Sequence, residues 1–155
     1  MENILFTIFD IFNFGWVAFL WWFTLKNYIA LPERIPVHFD MEGKADGFGG
    51  KIYAFLMPVL ALGLYAVFVY GLKHPEDTNF PVEITDQNMN AQFLIMKFGL
   101  RILFVVLAVI FTNIQDYIFR YAVDDKAKPR ISFATIFISV VLFTPALLFI
   151  AHLFK

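Results

Sequence analysis

Four long apolar runs dominate this chain and leave few folds open to it. Residues 4–25 carry one formal charge, Asp10. Residues 52–72 and 131–154 carry none, and residues 100–118 hold only Arg101 and Asp116. Each run approaches the ~20 residues that an α-helix needs to cross the hydrocarbon of a bilayer. Backbone N–H and C=O groups find no water there and must pair within the segment, which favours helices over strands. Apolar residues make up 60% of the chain and charged residues 16%, against roughly 45–50% and about 25% in a soluble domain. A soluble core of 155 residues cannot absorb that excess. The expectation is an all-α membrane protein, one integral domain over residues 1–155. Helices near 4–25, 52–72, 92–119 and 131–154 form a four-helix transmembrane bundle, and an ordered polar loop at 26–51 joins the first two.

Several function classes drop out on composition. The absence of cysteine excludes disulfides, thiolate metal sites and cysteine nucleophiles. A net charge of −1 argues against a broad nucleic-acid surface. No phosphate-loop, dinucleotide, zinc-protease or serine-hydrolase motif is present, and no cofactor is implied. Glu2 stands where a signal peptide would carry basic residues, so the first run is expected to stay as a helix. The bilayer itself is the first partner.

Punctuation along the chain places the elements. Trp21, Trp22, Lys26 and Tyr28 form an interfacial belt at the end of the first helix. Pro32 and Pro36 push their preceding residues out of the α region, and Val37-His38-Phe39 has the makings of a short strand. Asp46-Gly47 and Gly49-Gly50 read as tight turns with positive φ. Pro58 falls in the first turns of the second helix, where proline costs least. Thr85 or Asp86 caps the third helix, and Pro145 bends the fourth.

Four crossings put the chain's two ends and residues 73–90 on one side, and the 26–51 segment and the 119–130 hairpin on the other. The second side carries Lys26, Arg34, Lys44, Lys51, Arg120, Lys126, Lys128 and Arg130, and the first only Lys73, Lys97, Arg101 and Lys155. The positive-inside bias therefore places the 26–51 segment in the cytoplasm.

Two groups of residues are candidates for function. In the polar island, His38, Asp40, Glu42 and Asp46 bring an imidazole and three carboxylates within nine residues, a pattern suited to a divalent cation or a recognition surface. A calcium-loop register from Asp40 fails, because Ala45 takes the glycine position and Lys51 that of the bidentate glutamate. The competing reading is an ordered interfacial cap in which His38 and Asp46 bond to the turn. In the apolar runs, Asp10 and Asn13 share one helix face, as do Lys97 and Arg101. All four lie in the same half of the bilayer with His152. Ionisable groups at such depth face the bundle interior and pair, so Asp10 is matched to Arg101 or Lys97. The alternative has both cations snorkelling to the headgroups. Asp116 and Arg120, four apart, form a structural ion pair beneath the island.

The run from Leu31-Pro32 through Ile35-Pro36, His38-Phe39-Asp40, Gly43 and Asp46-Gly47-Phe48 to Lys51 also resembles a known signature. It is similar to a bacterial membrane domain of unknown function at the start of SdpI-like immunity proteins. The resemblance covers about the first half of the chain, with His74 standing where relatives carry aspartate. It makes Pro32, Pro36, His38, Asp40, Gly43, Asp46, Gly47 and Lys51 a recognition loop. It also implies the bacterial cytoplasmic membrane and puts this loop outside the cell, against the charge count. Such relatives carry further helices, and the best known gives immunity to a secreted toxin and relays its presence to a repressor.

The expected function is a non-enzymatic multi-pass module acting in binding, immunity or signal relay, or as a subunit of a membrane complex. A protein partner would meet the 31–51 loop, with Phe39 and Phe48 presented to it, and a homo- or hetero-oligomer is compatible. The alternative is a small transporter or membrane enzyme using Asp10, Asn13, Lys97, Arg101 and His152.

Overall fold

The computed structural model describes residues 2–40 and 42–155, so Met1 of the acidic start and Met41 lie outside the described residues. Four helices are long and apolar enough to cross a membrane: α1 (Glu2–Tyr28), α2 (Leu56–Lys73), α3 (Met89–Val123) and α4 (Phe133–Leu153). Two strands, β1 (Arg34–Phe39) and β2 (Ala45–Gly50), form a hairpin between α1 and α2. The chain is an all-α membrane-type bundle with one small sheet.

α3 is the central element and packs on α1, α2 and α4. It begins three residues earlier and ends four later than the helix expected over 92–119, because both polar flanks have partners. At its start the cap is Asn88 itself, without a side-chain bond into the helix. Thr85 instead builds the turn before it. The Asn88 N–H donates to Thr85 Oγ1, and the Thr85 N–H donates to Asn88 Oδ1. Between α1, α2 and α3, Val17, Phe104 and Ala108 form one buried cluster with Leu64 and Phe68 against it. Nearer the hairpin, Leu31, Ile35, Ala54, Ile118 and Phe119 form another.

α4 is held differently. Gln92 on α3 donates from Nε2 to the carbonyls of Ala151 and Phe154, 2.7 and 3.0 Å away. Phe154 is the residue that ends α4, and its N–H also reaches the Ala151 carbonyl, so Gln92 adds donors where the helix runs out of its own. At the other end Asn113 exchanges two bonds with the backbone of Ile131, and Ser132 caps the helix by accepting from the Thr135 N–H. Between these grips the helices approach closely at Gly99, where a Cβ would fall 2.8 Å from Leu147. Apart from Ala151, no residue of α4 is fully buried.

Within the 26–51 segment, residues 34–50 form a hairpin that includes the expected strand at Val37-His38-Phe39. Its strands pair from Arg34↔Gly50 to Phe39↔Ala45, with irregularities on both sides of His38. The expected turns at Asp46-Gly47 and Gly49-Gly50 are strand instead, and among the described residues only Gly43 has positive φ, +84°. The later glycines serve close approach. A Cβ on Gly47 would lie 3.0 Å from that of His38, and one on Gly49 would lie 2.8 Å from the Tyr53 ring.

Candidate functional site

Asp40 organises the hairpin turn. Its Oδ1 accepts the N–H groups of Glu42 and Lys44 at 2.9 and 2.8 Å, and its own N–H donates to the Lys44 carbonyl. Gly43 supplies the left-handed residue that closes such a turn, a conformation costly to any residue with a Cβ. With that oxygen committed to backbone donors, Asp40 forms the turn. Among the described residues, no group of three or more His, Cys, Asp or Glu is placed to hold a metal ion.

The hairpin is fastened to the end of the bundle. Tyr117 donates its hydroxyl hydrogen to the Gly43 carbonyl, and Tyr121 accepts the Ala45 N–H at 3.3 Å. Phe39 lies with its ring centroid 4.6 Å from that of Tyr117 and also meets Tyr121 and Phe133. Expected to face a partner, Phe39 is instead turned onto α3, because stacking there keeps its ring from water. Phe48 does stay outward, 49% exposed. Pro36 is buried, and Pro32 lies exposed ahead of β1.

His38 and Asp46 meet through Nδ1 and Oδ1 across the strands. Both are exposed, so this contact sits on the outer surface. At the hairpin's base Lys51 donates to Glu33 at 2.7 Å, and its Nζ lies 5.6 Å from the centre of the Tyr28 ring. Beneath the hairpin, Asp116 accepts from Arg120 and from Arg130, tying α3 to the segment that precedes α4.

Within the membrane span, Arg101 and Asp10 form a two-pronged pair, Nε to Oδ1 and Nη2 to Oδ2, both 2.8 Å. Such parallel geometry is the strong form of this contact. The Arg101 side chain is 8% exposed and that of Asp10 47%. Arg101 also lies over the Phe6 ring, 4.2 Å from its centre, and bonds to the Lys97 carbonyl. Asn13 donates to the Arg101 carbonyl, and its own Oδ1 is buried without a partner among the described residues. The Lys97 side chain makes no ion pair among the described residues, so Arg101 is the partner of Asp10. His152 does not join this cluster. It lines a groove with residues 81–91, beside Ala151, whose carbonyl Gln92 holds. Arg101 is nine residues, or about 14 Å of helix, further along α3.

Sequence reasoning passed over the residues that do most of the fastening. Gln115 is wholly buried and donates to the Ala54 carbonyl at 2.8 Å, and Trp16 donates to Thr112 at 2.8 Å. Asn113, Tyr117 and Tyr121 recur every four residues, so they share one face of α3. That stripe of polar-tipped residues inside an apolar run was the available signal.

Comparison with known proteins centres on the hairpin. A family described as a domain of unknown function (DUF1648) matches residues 16–62, from the second half of α1 into α2. An uncharacterized protein of Archaeoglobus fulgidus is 36% identical over 44 residues, which cover 28% of this chain and 24% of that protein. The chain thus spans about a quarter of the length of that relative. No solved structure matches. The chain is a multi-pass membrane-type protein whose hairpin region is similar to a domain of unknown function. The relative is archaeal, so this similarity reaches beyond the bacterial setting of the resemblance drawn above.

Proposed function

We propose that the chain is a non-enzymatic membrane module whose hairpin recognises a protein partner at the membrane surface. It acts in immunity or signal relay, or as a subunit of a larger membrane complex. The observation that carries this reading is the hairpin's two-faced construction. One face is clamped to α3 through Tyr117, Tyr121 and Phe39, while Val37, Phe48 and Tyr53 remain exposed, as does the His38–Asp46 contact. An aromatic held on a rigid support costs little entropy on binding, which is what a recognition anchor requires. The resemblance to SdpI-like proteins supports the immunity reading and a place in the bacterial inner membrane.

A photoreactive residue at position 48 tests it. Irradiation of native membranes should give one discrete protein adduct, lost in His38→Ala and absent when the reactive group stands at Ile138 on α4. Lipid adducts alone at position 48 would refute recognition by the hairpin.

The second reading, a small transporter or membrane enzyme, has one observation behind it. The buried Asn13 Oδ1 beside the Asp10–Arg101 pair has no partner among the described residues and suits a bound water or a polar solute. Flux of protons or small solutes into liposomes carrying the parent, abolished in Asn13→Leu, is what that reading requires.

A further inference from the structure

A groove of about 640 Å³ opens between the hairpin turn and the α3–α4 connection. Three cations from two separate elements line it, Lys44 from the hairpin and Lys126 and Lys128 from the connection. None of the three forms an ion pair among the described residues, whereas Arg120, Arg130 and Lys51 nearby are all held by acids. Glu42 and Asp125 also line the groove, leaving one net positive charge. Tyr121 adds a hydroxyl that accepts from Ala45 but whose own hydrogen meets no acceptor among the described residues.

Position decides what such a groove can hold. Ser132 lies on its wall and caps α4, so the groove sits where that helix enters the hydrocarbon. Phe133 stands beside Gly43, and Phe137, one turn deeper, is exposed. Cations and a hydroxyl at headgroup depth, above an apolar surface open to the bilayer, match the two halves of a phospholipid.

We propose that this groove binds the phosphate ester of an anionic phospholipid, with Lys44, Lys126 and Lys128 around the phosphate and an acyl chain along Phe137. The proposal is independent of partner recognition at Phe48. It gives the hairpin's inner side a ligand of its own and joins the turn to the α3–α4 connection through that lipid.

Native mass spectrometry of the full chain, supplied with equal amounts of phosphatidylglycerol and phosphatidylcholine of the same acyl chains, tests it. The parent should retain the anionic lipid preferentially, and each lysine changed to glutamine should lower that retention about fivefold. Removing the two acids, Glu42→Gln with Asp125→Asn, should raise it, so the test survives even if the lysine variants fold poorly. Lys73→Gln with Lys155→Gln, at the other end of the bundle, should change nothing. Equal retention of both lipids by the parent overturns the proposal, as does anionic retention unmoved by the lysine and acid variants. Displacement of the lipid by millimolar inorganic phosphate would overturn the lipid as ligand in favour of a free phosphate ester.

Discussion

Tyr117 and Gly43, seventy-four residues apart, are joined by a hydroxyl-to-carbonyl hydrogen bond that pins the tip of the hairpin to the last turns of α3. The bond is buried and acts at the one described residue with positive φ, so it holds the turn where its conformation is least replaceable. Removing the hydroxyl in Tyr117→Phe leaves the ring stacked on Phe39 and the Gly43 carbonyl without its donor. The expected cost is about 1–3 kcal/mol, that of an unsatisfied buried acceptor. Hydrogen exchange should quicken across residues 40–47 and stay unchanged in α1 and α2.

Glycine substitutions in the hairpin should separate by mechanism. Gly43→Ala forces a side chain into positive φ and should cost about 1–3 kcal/mol. Gly47→Ala meets the His38 Cβ at 3.0 Å, close to the backbone, where little can give. Gly50→Ala meets nothing within 4 Å and should melt like the parent. Detergent-solubilised melting curves of the three variants give the order directly.

The Asp10–Arg101 pair should behave as a unit. Asp10→Asn strands a guanidinium that is almost wholly enclosed. Breaking a buried pair this way costs about 3–5 kcal/mol in soluble proteins, and the half-exposed carboxylate should bring the loss to the lower end. Adding Arg101→Gln should restore part of the folded yield, and Lys97→Gln should not. Equal yields for Asp10→Asn and the parent would show that the contact contributes nothing.

Loss of either amide that grips α4 should loosen that helix alone. Gln92→Ala leaves the Ala151 and Phe154 carbonyls without their side-chain donor, and Asn113→Ala does the same for Ile131. Cysteine pairs placed across α3 and α4 should cross-link less efficiently in each variant, while pairs across α1 and α3 keep their yield.

The lengths and near-neutrality of the apolar runs made the four crossings legible, because a bilayer tolerates few other solutions. The Asp10–Arg101 contact was legible as one of two pairings for the same reason, since a charge at that depth needs a partner. Of the hairpin, only Val37-His38-Phe39 was, as a short strand. β1 carries Pro36 and β2 carries Gly47, Gly49 and Gly50, so neither strand shows the alternation that announces a half-buried sheet, and its support comes from α3. Phe39 was misjudged on the same account, since its place depends on Tyr117, far along the chain. Gln92, Asn113 and Gln115 hid because a lone amide in an apolar helix does not reveal which carbonyl it will meet.

The two amides that hold the ends of α4 lie twenty-one residues apart on α3. That interval spans about 32 Å of helix, close to the ~30 Å thickness of bilayer hydrocarbon. α3 therefore works as a caliper, its jaws set to one membrane depth before α4 is laid between them. In a markedly thinner membrane the bundle has to tilt or surrender a jaw, and in a thicker one it has to pull the lipid inward. The spacing of two side chains thus ties this protein to membranes of a particular thickness.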